Sequence, residues 1–84
     1  MVFILTIKCA RCKEKLFKYK KIGQGRVLRC YESKITRMYE AVVENNKLIC
    51  GECGNEIGEI KSNHSRYVKM NQDEFTYTGT KISN

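Results

Sequence analysis

Apolar and polar residues alternate in short stretches along this chain, and the alternation is typical of half-buried β-strands. In one clear stretch Phe75 and Tyr77 alternate with Thr76 and Thr78, which turns one side of a pleated strand toward a core. Runs rich in β-branched and aromatic residues are separated by Gly and Asn. The pattern predicts a mainly β, antiparallel fold with strands at 2–7, 16–22, 26–36, 39–44, 47–49, 57–60, 66–70 and 75–78.

Two turn sequences predict β-hairpins. GQG at 23–25 and ENNK at 44–47 contain the residues that most readily adopt the positive φ of tight turns. GQG would join the strands at 16–22 and 26–36 into a two-stranded ribbon. A helix over residues 33–43 is the alternative there, because apolar residues recur at helical spacing, but the β-branched residues favour a strand.

The length of the chain limits how much of its stability can come from a hydrophobic core. We expect a single domain over residues 1–84, with a frayed tail from about residue 79. A chain of this length buries only about 60% of its unfolded surface, so the core alone is marginal. Small proteins compensate with disulfides or a bound metal, and five cysteines indicate one of these two.

The redox state of the protein's cellular compartment determines whether paired cysteines form disulfides or bind a metal. The start, MVFILTIK, has no basic region before its apolar run and no small-residue cleavage site, which is unlike a signal peptide. No stretch approaches the ~20 apolar residues that span a bilayer. We therefore expect a cytoplasmic protein without membrane contact, where thiols stay reduced and paired cysteines bind metal.

A C-x-x-C motif occurs twice, in CARCKEKL from residue 9 and in CGECGNEI from residue 50. Two such turns can complete a tetrahedral metal site, with backbone N–H groups bonded to the sulfurs. The predicted ligands are Cys9, Cys12, Cys50 and Cys53. The residue after the second cysteine often needs positive φ, which Gly54 adopts freely, whereas Lys13 occupies this position in the first turn.

These two motifs resemble the zinc-ribbon and rubredoxin-like proteins, in which two C-x-x-C turns on β-hairpins hold one ion. The resemblance implies a small zinc-ribbon-like domain, and the chain as a whole resembles small prokaryotic zinc-ribbon proteins. CARCKEKLFK is also similar to the start of the phage Com translational-activator zinc fingers, which bind messenger RNA. In that family the second cysteine pair follows sooner than Cys50 does.

The predicted cofactor is one zinc ion. Four thiolates accept zinc or iron, and the spacing of the cysteines does not separate the two metals. The rubredoxin resemblance implies an acidic electron carrier with a dense aromatic core, whereas this chain has a formal charge of +7 and no Trp, which favours zinc. Four cysteine ligands leave no position for water or substrate, so we expect a structural site and no enzymatic activity.

Positive charge is concentrated in the first half of the chain. Residues 8–37 hold eleven Lys or Arg against two acidic residues, and within 15–31 cations alternate with aromatic residues. Such a ribbon can follow phosphates while bases stack on tyrosines, and RNA is favoured over DNA because stacking of single strands needs no groove. The residues predicted to bind nucleic acid are Lys15, Lys18, Tyr19, Lys20, Lys21, Arg26, Arg29 and Tyr31.

The same residues have other interpretations. The cations can simply protect β-edges from aggregation. A protein-interaction adaptor that adds a partner strand at an exposed sheet edge is the second hypothesis for function, and electron transfer by bound iron is the third. Cys30 is interpreted as a small buried hydrophobe or, alternatively, as a redox-sensing thiol beside Arg29.

Overall fold

The computed structural model describes residues 2–23 and 27–83, and its regular structure is almost entirely antiparallel β-sheet. The strands are β1 Val2–Cys9, β2 Lys15–Ile22, β3 Arg29–Tyr31, β4 Ile35–Met38, β5 Ala41–Glu44, β6 Lys47–Cys50, β7 Glu56–Ser62, β8 Arg66–Met70 and β9 Phe75–Ser83. They form two sheets, which confirms the predicted fold class. Within the described ranges there is one 3₁₀ turn, Glu32–Lys34, and no helix that could cross a membrane.

Sheet A has four strands in the order β4-β2-β1-β9. Its buried residues in β1 are Leu5, Ile7 and Cys9. The pairing of β1 with β2 shifts between Ile7, which faces Phe17, and Lys8, which faces Lys15. Leu16 is therefore an extra residue in β2, and this bulge lets Leu16 and Phe17 both lie buried.

Sheet B has five strands in the order β3-β8-β7-β6-β5. The turn between β5 and β6 is formed by Asn45 and Asn46, whose φ angles are 49° and 60°. Because Glu44 pairs with Lys47 across this turn, it is a two-residue hairpin of the type I′ class. The hairpin predicted from ENNK is confirmed.

The inward residues of both sheets form one hydrophobic core. Its fully buried side chains are Phe17, Ile7, Leu16, Leu48, Ile57, Cys9, Cys30 and Cys50. Cys9 ends β1 and Cys50 ends β6, so the core continues without interruption to the cysteines of both C-x-x-C motifs.

The predicted strand at 26–36 is wrong. β3 ends at Tyr31, and β4 begins at Ile35 after the 3₁₀ turn. β3 pairs with β8 in sheet B whereas β4 pairs with β2 in sheet A, so the turn carries the chain from one sheet to the other. The ribbon predicted from GQG is also wrong, since β2 and β3 belong to different sheets, and residues 24–26 of that turn lie outside the described residues.

The end of the chain differs from the sequence-based expectation as well. The sequence predicted a strand at 75–78 and a frayed tail from about residue 79, but β9 continues to Ser83 and pairs with β1 back to Val2. β1 begins at Val2, so its backbone N–H and C=O groups can pair with β9 as far as Ser83. The hydrogen bonds made there offset the entropy lost when the tail is ordered.

Candidate metal centre and basic surface

The two C-x-x-C motifs form matching turns at the tips of two β-hairpins, the first between β1 and β2 and the second between β6 and β7. In each turn the residue after the second cysteine donates its N–H to the carbonyl of the first cysteine, at 3.0 Å for Lys13 and 2.8 Å for Gly54. The N–H of each first cysteine bonds the carbonyl of Glu14 or Asn55, at 3.0 and 2.9 Å. The repeat in the sequence is therefore also a repeat in the structure.

Both turns place a left-handed residue at the same position. Gly54 has a φ of 77° and Lys13 a φ of 66°, as the sequence led us to expect. Glycine adopts this conformation without steric cost, whereas it costs a side-chain-bearing residue about 1–2 kcal/mol. Such strain persists where the surrounding structure holds the backbone in place, so the first turn depends more than the second on the rest of the site.

The four cysteines of these turns meet at one point. Their Sγ atoms all lie within 4.8 Å of one another, with 3.5 Å between Cys9 and Cys53 and 3.4 Å between Cys12 and Cys50. Four sulfurs bound tetrahedrally to zinc at about 2.3 Å would be separated by about 3.8 Å from each other. The cluster can therefore hold one metal ion, and its arrangement is compatible with a zinc-ribbon-like site.

The thiols of the cluster affect one another's ionisation. Burial disfavours the Cys9 thiolate, but N–H groups of its own turn bond to the sulfur and lower the pKa of Cys9 to about 6. The N–H of Glu14 favours the Cys12 thiolate, yet burial and the neighbouring thiols raise the pKa of Cys12 to about 12. A backbone N–H likewise favours the Cys53 thiolate, while burial and the Cys9 thiol raise its pKa. A bound divalent cation would outweigh these opposing effects on the thiol pKa values, because its positive charge stabilises all four sulfurs as thiolates.

Asn55 supports the cluster through a side chain that sequence analysis missed. It is buried, and its amide nitrogen lies 3.8 Å from Cys9 Sγ and 3.3 Å from the carbonyl oxygen of Glu74. An N–H donated to a metal-bound thiolate orients the sulfur and stabilises its charge. Position alone could not identify this role, because Glu14 follows Cys12 by two residues just as Asn55 follows Cys53, yet the Glu14 side chain is exposed.

We expect Asn55→Ala to lower zinc affinity about tenfold to hundredfold, because the Cys9 sulfur loses a donor and the Glu74 carbonyl loses its partner. Glu14→Ala is the matched control, since Glu14 holds the equivalent position with an exposed side chain. A competition titration against a chromogenic zinc chelator measures both variants. Equal zinc affinity in the two variants would contradict the role given to Asn55.

Cys30 lies apart from this cluster. It is 0% exposed within β3, and burial raises the pKa of its thiol to about 12. A thiol that is both inaccessible and protonated reacts poorly. The structure therefore supports the interpretation of Cys30 as a buried hydrophobe over that of a redox-sensing thiol.

The eight residues predicted to bind nucleic acid do not form one surface. In β2 of sheet A are Lys15, Lys18, Tyr19, Lys20 and Lys21, whereas Arg29 and Tyr31 are in β3 of sheet B. Arg26 lies outside the described residues. Lys21 alternates onto the inward side of β2 with Phe17 and Tyr19, so only Lys15, Lys18 and Lys20 remain as neighbours.

Tyr19 cannot serve as the predicted platform for stacking bases. Its side chain is only 5% exposed, its hydroxyl donates to the carbonyl of Arg29 at 3.4 Å, and the N–H of Tyr31 donates to that hydroxyl at 3.3 Å. Tyr19 thus fastens β2 to β3 and so links the two sheets. The half-buried Tyr31 ring packs against Tyr67, with 5.6 Å between ring centroids.

A different basic surface lies on the outward side of sheet A, which we call the outer face. In the strand register Lys18 faces Thr6 on one side and Arg37 on the other, and Lys20 faces Ile4. The cations of the outer face are Lys8, Lys15, Lys18, Lys20 and Arg37. The other outward residues whose side chains are described in these strands are Val2, Ile4, Thr6, Ile22, Thr76 and Thr78, and none of them is acidic.

Tyr39 lies at the margin of the outer face between two of its cations. Its ring centroid is 6.0 Å from Lys15 Nζ and 5.3 Å from the guanidinium carbon of Arg37. Its backbone N–H bonds the carbonyl of Leu16 at 2.8 Å, which continues the pairing of β4 with β2. The half-buried ring is therefore held in place with cations on both sides.

The sequence alone did not indicate that Lys8, Arg37 and Tyr39 belong to this surface. Alternation along one strand shows which residues share a side but not which strands lie next to it. The ribbon predicted from GQG paired β2 with the strand that follows this turn, whereas the neighbours of β2 in sheet A are β1 and β4. The first C-x-x-C turn was the usable signal, because a turn of this kind joins its flanking strands as a hairpin and so places β1 beside β2.

Comparison with protein-family models, curated proteins and solved structures finds no match to this chain. Two features of its own structure bear on its function, namely the cysteine cluster and the outer face of sheet A.

Proposed function

We propose that this protein is a non-enzymatic nucleic-acid-binding module of the cytoplasm, stabilised by one structural zinc ion. The proposed ligand is single-stranded nucleic acid, RNA in preference to DNA, bound on the outer face of sheet A. One observation carries the proposal: the outer face has five cations and no acidic side chain among its described strand residues.

The position of the cysteine cluster supports a structural role for the zinc ion. The first C-x-x-C turn extends from sheet A and the second from sheet B, so an ion bound to both turns fastens the two sheets together. Four cysteine ligands fill the coordination shell of zinc and leave no site for a reacting water. The formal charge of +7 favours zinc over the iron of an acidic electron carrier.

The distribution of charge supports nucleic acid as the ligand. Cations on sheet B are largely paired with acids, as Lys47 is with Glu56 at 3.1 Å and Arg66 is with Glu32 at 3.1 Å. The outer face has no such pairing among its described side chains, so its cations can neutralise phosphates and release the counterions bound to them. A sheet face with neighbouring cations and one aromatic ring also suits a single strand, because exposed bases need a stacking surface and no groove.

Binding of a mixed-sequence single-stranded RNA, followed by fluorescence anisotropy across a salt series, tests the proposal. If all five cations contact phosphates, log K should fall with log salt with a slope of about −3 to −4. Tyr39→Ala should weaken binding about tenfold through the loss of base stacking, whereas Tyr39→Phe keeps the ring and should bind like the native protein. Absence of RNA binding at low salt, or affinity independent of both salt and Tyr39, would contradict the proposal.

A further inference from the structure

The outer edge of β9 is a long unpaired strand edge. β9 spans nine residues, Phe75–Ser83, and pairs with β1 only. The N–H of Ala10 bonds the carbonyl of Glu74 at 3.1 Å, and in an antiparallel ladder the bonding direction alternates from residue to residue. The backbone groups of Thr76 and Thr78 therefore point to β1, while those of Tyr77 and Gly79 point away from the sheet and have no strand partner in the described part of the chain.

The other sheet edges are far less suited to pairing. The edge strands β3, β4 and β5 have three, four and four residues. β3 is further limited at its end by the 3₁₀ turn Glu32–Lys34. Natural proteins keep edge strands short, bulged, charged or covered to prevent association. β9 has such features only near its end, where Lys81 adds a charge and the pairing with β1 shifts, whereas residues 75–79 contain no charge, no proline and no positive-φ residue.

The sequence of β9 is complementary to itself in antiparallel pairing. If a second β9 pairs with the first about a twofold axis at Thr78, Thr78 faces its own copy and Tyr77 faces Gly79. On the inward side a Cβ at Gly79 would meet Leu5 Cδ2 so closely that the Leu5 side chain would have to move. Tyr77 is 46% exposed and stacks on Phe75 with 6.3 Å between centroids, so its ring is available to cover the glycine of the facing strand. An aromatic residue opposite a strand glycine stabilises such pairs.

We propose that two copies of this chain associate by antiparallel pairing of β9 with β9, with the twofold axis at Thr78. The four strands of each sheet A then form one continuous eight-stranded sheet. Dimerisation of this kind does not require the nucleic-acid binding proposed above. We expect a contact limited to one pair of strand edges to bury less than the ~1,200–2,000 Å² of a standard stable interface, so the dimer should dissociate on dilution.

Sedimentation velocity over a wide concentration range tests for association, and cysteine cross-linking of the zinc-loaded protein tests the register. In the proposed register the two copies of Thr78 form a non-hydrogen-bonded pair, because their backbone groups point to β1. The Cα atoms of such a pair lie about 4.5 Å apart, which a disulfide can bridge. We expect Thr78→Cys to give a disulfide-linked dimer under mild oxidation on a non-reducing gel. Thr76→Cys is the matched control, since in this register residue 76 faces residue 80 and should not cross-link.

Tyr77→Lys supplies an independent readout, because it removes the covering ring and adds a charge to the edge. We expect this variant to keep the circular dichroism spectrum of the native chain but to sediment as a monomer at every concentration. A native chain that stays monomeric throughout would overturn the proposal. Equal cross-linking of Thr78→Cys and Thr76→Cys, or a folded Tyr77→Lys variant that dimerises like the native chain, would overturn it as well.

Discussion

We expect Cys53→Ser to unfold this protein, a larger effect on stability than that of a substitution outside the metal cluster. Cys53 Sγ lies 3.5 Å from Cys9 Sγ and belongs to the cluster that joins the turns of the two sheets. Structural zinc typically contributes ~10–16 kcal/mol to folding, which is as large as the whole stability of a typical domain, about 5–15 kcal/mol. Loss of one ligand therefore removes enough binding energy to leave a marginal core unsupported. Circular dichroism and the dispersion of amide resonances measure the outcome.

Cys30→Ala provides the matched cysteine control. Cys30 is buried in the same core but lies outside the metal cluster, so its removal should cost about 1–2 kcal/mol and leave zinc binding intact. A Cys53→Ser protein that melts cooperatively at the native temperature would show that the cluster does not stabilise the fold. Addition of a strong zinc chelator should reproduce the unfolding in the native chain.

The second large effect concerns the outer face. We expect the combined substitution of Lys18, Lys20 and Arg37 by Ala to lower RNA affinity at least about tenfold at moderate salt. Each phosphate contact on a single strand contributes about −0.7 to the slope of log K against log salt, so the slope should shrink in magnitude by about 2. Fluorescence anisotropy with the same single-stranded RNA measures both quantities.

A second triple variant with the same net charge distinguishes the loss of local contacts from the loss of overall positive charge. Lys61, Arg66 and Lys69 are exposed cations of sheet B, and their replacement by Ala changes the net charge by the same amount. Lys61 and Arg66 pair with Glu59 and Glu32, and Lys69 faces Glu59 across the strands, so this control should bind RNA nearly as well as the native chain. Equal losses in both triple variants would mean that the outer face is not the binding surface.

The ENNK hairpin and the two C-x-x-C turns could be predicted because each depends on local sequence. Asn45 and Asn46 adopt the positive φ that a two-residue hairpin turn requires. The two C-x-x-C motifs form equivalent turns for the same local reason, even with Lys13 at the left-handed position. Their convergence followed from chemistry, since two thiols alone cannot complete a tetrahedral shell.

The arrangement of the strands could not be predicted, because it depends on contacts between distant residues. The alternation in the stretch 26–36 is that of a single strand, yet the chain passes from sheet B to sheet A at Glu32–Lys34. Alternation along β2 places Phe17, Tyr19 and Lys21 on one side of the strand. Alternation alone does not indicate that this side faces the core, and the assignment of Tyr19 to a binding surface failed for that reason.

X-ray absorption spectroscopy at the zinc edge, combined with metal analysis of the purified protein, determines whether the four cysteines of the cluster together hold one zinc ion. The sulfurs of Cys9, Cys12, Cys50 and Cys53 lie within 4.8 Å of one another. We predict one zinc per chain with four sulfur neighbours at about 2.3 Å. A protein that folds with no stoichiometric metal, or a metal with fewer than four sulfur neighbours, would contradict it.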